Sequence, residues 1–111
     1  MNTEQVRKLV VSNLEDSKAL DIQVIDVKEK CTFTDVMIVA TGTSTTHVKS
    51  TGNAVEQAFK KNGTPALGVE SSQDPEWVLI DLGVAVVHVM TAAARERYQL
   101  EKLWSFEPAR D

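Results

Sequence analysis

A single cysteine, Cys31, stands in the whole chain. It has no second thiol to pair with, so an internal disulfide is excluded, as is a metal site built from several thiolates. Its expected place is that of a small residue flanking a strand. Glycine and proline are scarce, at 5 and 3 of 111 residues, which excludes low-complexity and collagen-like chains. The two histidines, His47 and His88, fall in no HxxxH or HExxH spacing. A zinc site would therefore need carboxylates as well, and none is expected. No apolar run approaches ~18–20 residues, so no membrane-spanning helix is expected. The start, Met1-Asn2-Thr3-Glu4-Gln5, is polar and lacks both the apolar core of a secretory signal and the arginines of a transit peptide, which makes the cytoplasm the default compartment. Basic charge is in deficit: 12 Lys and Arg stand against 16 Asp and Glu, for a net charge of −4. The longest basic run is Lys60-Lys61. Binding to nucleic acid through phosphates needs a basic face, so little direct contact with RNA or DNA is expected. An acidic chain is better suited to a basic protein partner.

What is present is an ordinary globular composition, 42% hydrophobic and 25% charged, in a length that suits one domain with a core of its own. No internal repeat or linker interrupts it. Val6, Leu9, Val10 and Leu14 recur at helical spacing, predicting an amphipathic helix over Thr3 to Ala19 with Thr3 as cap. Ile22 to Val27 is short and β-branched, as a strand is, and Lys28-Glu29-Lys30 reads as a charged turn. Val36 to Ala40 is nearly all apolar and reads as a central strand covered on both faces. Ser44 can cap a second helix lasting to about Asn62, with Gly63 just past its end. Gly52 in mid-helix costs up to ~1 kcal/mol in propensity, and close packing on the sheet would explain it. Pro65 to Val69 is a weaker strand, with Pro65 at its first position or on an edge. Glu70 to Glu76 reads as a polar loop. Thr91 can cap a last helix running through Trp104, and residues 105–111 read as a flexible tail.

Trp77 to Leu82 and Ala85 to Met90 flank Gly83-Val84. A two-residue loop with glycine first favours a type II′ hairpin, a register that pairs Leu82 with Ala85, Leu79 with His88 and Trp77 with Met90. Alternation then gives one aliphatic face of Val78, Ile80, Leu82, Ala85, Val87 and Val89. The opposite face mixes Trp77, Leu79, Asp81, Val86, His88 and Met90. If helices cover that face, Asp81 and His88 are buried polar groups that need partners. If it meets water, Trp77, Leu79 and Met90 form an apolar patch of the kind that marks an interaction site. The second arrangement is the expectation carried forward. Tyr98 and Trp104 then lie near the rim or pack in the core.

The search for chemistry finds little. Gly42-Thr43-Ser44 ahead of a helix could present backbone N–H groups to an anion, and with the helix that follows it resembles part of a nucleotidyltransferase site. Two-metal phosphoryl transfer needs paired carboxylates on a following strand. Asp74-Pro75-Glu76 has the spacing but sits in a loop, and Asp81 stands alone. No catalytic residue and no cofactor are expected. The fold class implied by the order of elements is α/β: a mixed sheet of about five strands with flanking helices, in one domain over residues 1–111.

Lys18-Ala19-Leu20-Asp21-Ile22, Asp35 through Ser44, Trp77 through Gly83, Val87-His88-Val89-Met90 and Arg95 through Trp104 together resemble the ribosomal silencing factor, or Iojap, family. Five pieces in order, from about Leu9 to Trp104, carry the resemblance. It implies an α/β fold similar to nucleotidyltransferases without their catalytic carboxylates, and a function. Such factors bind the large ribosomal subunit through its protein number fourteen, block joining of the small subunit, repress translation when nutrients are scarce, and associate with late large-subunit assembly. Free members are often homodimers. The resemblance places the partner surface on Trp77, Leu79, His88, Met90, Tyr98 and Leu100, with Asp81 and Glu101 as polar candidates. Met90 stands where relatives often carry an aromatic or another apolar residue. The competing reading is a catalytically degenerate, nucleotide-binding relative of the nucleotidyltransferases that uses the Gly42 to Ser44 turn.

Overall fold

A computed structural model describes residues 1–99. Helix α1 spans Thr3–Asp16 and buries Val6, Val10 and Leu14. Asn2, not Thr3, is its cap: the Asn2 side chain accepts from the Gln5 N–H while the Gln5 side chain accepts from the Asn2 N–H, a reciprocal capping box. Thr3 gives its hydroxyl to Asp35 instead, at 3.0 Å. The helix also ends sooner than its periodicity suggests. Lys18 takes a positive φ of 65°, and the Ala19 N–H turns back to Leu14 O at 2.9 Å.

Strands β1 (Leu20–Asp26) and β2 (Val36–Gly42) form an antiparallel pair, with a register shift between Leu20 and Gln23. Every residue of β2 is buried, as its continuous apolar run requires. Helix α2 spans Thr45–Lys61 between Ser44, whose side chain accepts from the His47 N–H, and Asn62. Gly63 follows with φ 77°. A Cβ built on Gly52 would stand 2.7 Å from Val78 Cγ1, so the bare backbone is what lets α2 lie this close to the sheet. Strand β3 is shorter than expected, Gly68–Glu70. Strands β4 (Trp77–Asp81) and β5 (Ala85–Thr91) form the hairpin in the expected register, Trp77 opposite Met90 and Leu79 opposite His88. Gly83 has φ 86°, the Leu82 N–H donates to Ala85 O at 2.8 Å, and the Val84 N–H donates to Leu82 O at 3.1 Å.

The sheet order is β1-β2-β5-β4-β3, and only β2 and β5 run parallel. The mixed five-stranded α/β architecture read from the sequence is the one observed. The main core lies on the face covered by α1 and α2, where Val36, Ile38, Ala40, Val78, Ile80, Ala85, Val87 and Val89 meet Leu14, Val48, Val55 and Phe59. The last helix, α3, covers only Ala92–Tyr98. It stops because Gln99 adopts the left-handed conformation, φ 51°, with its N–H bonded back to Arg95 O. The expected continuation through Trp104 is corrected at that point, since a left-handed residue breaks the helical ladder. Leu100, Glu101, Trp104 and the 105–111 segment lie outside the described residues. Among the described residues no helix is long and apolar enough to cross a membrane.

Candidate functional site, an aromatic and apolar sheet face

The side chains that point away from α1 and α2 alternate out of the same strands that build the main core. Two pieces cover this second face in part. One is α3, which sets Ala94 against Met37, Val39 and Met90. The other is the segment from Val27 to Thr34, which turns through a Lys30 N–H bond to Val27 O and places Cys31 beside the same small cluster.

This cover corrects the expectation of a wholly water-facing ribbon. Met90 is fully buried and His88 is 7% exposed, because α3 and the 27–34 segment close over β5. Met90 is closed off from the surface, while His88 still lines the cavity between the hairpin and the 27–34 segment. Asp81 is half-buried, and its Oδ1 accepts the Gly83 N–H at 2.9 Å, so its carboxylate shapes the hairpin turn.

Trp77, Leu79 and Val86 remain half-exposed, and Tyr98 is 49% exposed. Trp77 holds the centre. Its ring packs against Tyr98 with centroids 4.8 Å apart, tilted by 46°, and its indole N–H donates to His88 Nδ1 at 3.0 Å. The Arg97 guanidinium lies 5.2 Å from the Tyr98 centroid and also pairs with Glu76. Tyr98 thus contacts both a cation and the Trp77 ring, interactions that favour a fixed placement of both rings.

Beside this stack a cavity of about 230 Å³ opens between the 27–34 segment and the hairpin, lined by Val27, Phe33, Thr34, Met37, Leu79, Val86 and His88. Phe33 stands at its mouth and is 74% exposed. The sequence reading missed Phe33. It sits in an irregular stretch with no periodicity, and the only signal available was its bulk between polar neighbours.

Burial pushes the His88 imidazole from 6.5 down to about 4, since low-dielectric surroundings disfavour the cation. The ring is therefore neutral near pH 7. Its Nδ1 lone pair is taken by Trp77, so it offers no free base there. His47, the other histidine, joins two helices: its Nδ1 accepts the Thr43 N–H at 2.9 Å and its Nε2 lies 2.7 Å from Ser17 O. The Thr43 N–H of the turn ahead of α2 is thus taken by His47. Asp74, from the loop pair Asp74 and Glu76, accepts the Thr45 hydroxyl at 2.5 Å, and Glu76 pairs with Arg97. Among the described residues no group of three or more His, Cys, Asp or Glu is placed to hold a metal.

Arg95 was not foreseen as a buried residue. It is 7% exposed and donates to Asp21 O at 2.6 Å and Thr41 Oγ1 at 2.8 Å, tying α3 across β2 to the bulged start of β1.

The fold and this face define a class: a small α/β protein that presents a fixed aromatic and apolar surface beside a shallow cavity. Comparison with known proteins makes the class specific. The model of the family described as "Ribosomal silencing factor during starvation" matches residues 1–111, and the chain belongs to that family. It is 40% identical over 104 residues to a protein of Chromobacterium violaceum named ribosomal silencing factor, covering 94% of this chain and 85% of that one. It is 33% identical over 100 residues to a Mus musculus protein named for mitochondrial assembly of the ribosomal large subunit, covering 87% of this chain and 44% of the mouse protein. A crystal structure of a Chromobacterium violaceum protein superposes with a TM-score of 0.92 at 38% identity, over 99% of this chain and 92% of that chain.

Proposed function

We propose that this protein represses translation by occupying the large ribosomal subunit. It binds there through that subunit's protein number fourteen, and its body then stands where the small subunit has to join. The action is steric and needs no turnover. The same association serves large-subunit maturation, a role consistent with the name of the mouse relative. The protein acts in the cytoplasm and forms a homodimer when free.

The observation that carries the reading is the half-exposed Trp77, in contact with Tyr98 and bonded to His88, which lines an apolar cavity. Aromatic side chains fixed in place lose little freedom on binding and supply much of an interface's energy. Leu79, Val86 and Phe33 extend the apolar centre, and the net charge of −4 suits a basic ribosomal partner. Of the residues assigned from resemblance, Trp77, Leu79 and Tyr98 belong to this surface. His88 and Met90 act from beneath it, holding Trp77 and the sheet in place, and Asp81 sets the hairpin end. Leu100 and Glu101 follow Gln99 in sequence, after the helix that carries Tyr98.

A sucrose gradient of purified subunits tests the function. Added protein is expected to keep large and small subunits apart in proportion to its occupancy of the large subunit. Undiminished joining at saturating occupancy would overturn the steric mechanism. For the free state, sizing with and without protein fourteen is expected to show a dimer giving way to a one-to-one complex. A complex retaining two copies of the factor would overturn the idea that dimer and ribosome share a surface.

A further inference from the structure

The α2-covered face of the sheet carries a second surface at strand β3, on the face opposite to the one that presents Trp77. Strand β3 is an outer strand, and the direction of its unpaired backbone follows from the hairpin. At one end of the β4–β5 pair the Thr91 N–H donates to Glu76 O, and at the other the Leu82 N–H donates to Ala85 O. In an antiparallel ladder this alternation turns Val78 and Ile80 toward β5, and Leu79 and Asp81 toward β3. The Leu67 N–H bond to Asp81 O at 2.8 Å agrees. Gly68 and Glu70, opposite Asp81 and Leu79, spend their backbone groups on β4. Val69, opposite Ile80, turns its N–H and C=O outward.

The other sheet edge is guarded. Strand β1 has a register shift between Leu20 and Gln23, and Asp21 is left-handed with φ 52°, devices that blunt strand pairing. Strand β3 has only its shortness.

Beside Val69 runs a cavity of about 520 Å³, between α2 and the 69–74 stretch. Val69 and Val78 supply apolar lining. Lys49, Asn53 and Glu56 line it from α2, at the spacing of one helix face. The Lys49 ammonium is engaged by Gln73 O at 3.3 Å. Glu56 is half-buried and has no hydrogen bond or ion pair among the described residues, while Asp74 adds a second carboxylate to the wall.

We propose that this groove receives an extended basic segment of a partner protein as an added strand. Backbone pairing at Val69 anchors the segment to the sheet edge. An apolar side chain enters over Val69 and Val78, and a lysine or arginine two positions along the same face meets Glu56. Strand addition of this kind takes its affinity from main-chain bonds and its selectivity from alternate side chains.

The test uses the full chain and a synthetic acetylated peptide in which valine and arginine alternate at every second position with threonine between them, so that both face α2, titrated by amide chemical-shift mapping. Saturable shifts are expected at Val69 and Ser71 and along Lys49, Asn53 and Glu56. Val69→Pro removes the outward N–H at a position where an edge strand tolerates proline. Glu56→Lys reverses the charge on the helix surface without touching the ladder. Each is expected to weaken binding roughly tenfold or more, as is N-methylation of alternate peptide residues. Trp77→Ala, on the other sheet face, is expected to leave peptide binding unchanged, which separates this groove from the ribosome-docking reading. Absence of saturable shifts up to about 1 mM, or unchanged binding by the folded Glu56→Lys protein or by the N-methylated peptide, would overturn the proposal.

Discussion

The Trp77 indole N–H donates to His88 Nδ1 at 3.0 Å across the β4–β5 hairpin. The bond joins a residue available to a partner with one that is buried. It also fixes the tautomer, because an Nδ1 that accepts must leave the proton on Nε2. The large side chain at the centre of the surface is held by a neutral histidine underneath it.

Truncation of that centre should show in binding more than in folding. Trp77→Ala is expected to weaken association with protein fourteen of the large subunit by about 2 kcal/mol or more, roughly 30-fold. A binding titration checks it, with circular dichroism to establish that the variant is folded. Unchanged affinity would remove Trp77 from the contact.

Phe33 separates exposure from use. At 74% exposed it contributes little to the fold, and Phe33→Ala should change stability by less than about 0.5 kcal/mol. The same variant is expected to lose at least roughly tenfold in affinity for the large subunit. If it binds as well as the parent, the contact surface ends at Trp77 and Tyr98 and excludes the cavity mouth.

The histidine has a pH signature. Its folded value lies at about 4 against 6.5 when free, so between these limits the unfolded chain holds the extra proton. Stability is then complete above pH 6.5 and falls as the pH drops toward 4. At pH 4.5 the loss attributable to His88 is about 2–3 kcal/mol. Urea midpoints at pH 7 and pH 4.5 measure it. In His88→Gln, whose amide oxygen still accepts from Trp77, the difference between the two pH values should shrink by that amount. Equal pH sensitivity in parent and variant would place the titrating group elsewhere.

Gly52 sets two effects against each other. Alanine gains up to about 1 kcal/mol of helix propensity, but its Cβ would come within 2.7 Å of Val78 Cγ1 and 3.3 Å of Val78 Cβ. Overpacking of that kind costs about 1–3 kcal/mol, so Gly52→Ala is expected to lower the thermal midpoint. In a Val78→Ala background the penalty should disappear, a non-additivity that a double-mutant cycle reads directly.

These cases show what the sequence makes legible. Strict alternation from Trp77 to Met90 determines the hairpin register and both of its faces, because a slip of one residue would exchange the faces. Ser44 and the α2 periodicity are equally direct, and so is the packing demand at Gly52. The sequence does not reveal what covers the second face. Met90 and His88 are buried by α3 and by an aperiodic segment from Val27 to Thr34, whose end is anchored by long-range contacts such as the Asp35 N–H bond to Val84 O. The left-handed Lys18, Asp21 and Gln99 end or bend elements without the glycine that would have announced them. The buried Arg95 stands in a polar-looking helix and becomes visible only once β1 brings Asp21 O to it.

The placement of β5 between β2 and β4 governs how the chain comes together. The parallel pair inside the sheet is drawn from residues 36–42 and 85–91, so a nascent chain that has emerged only through α2 holds β2 with one side unpaired. The sheet closes when the last strand slides into a gap left between partners made earlier. Late, long-range pairing of this kind slows folding in general, and chains cut short before residue 85 would keep an adhesive edge at the heart of what should become the core.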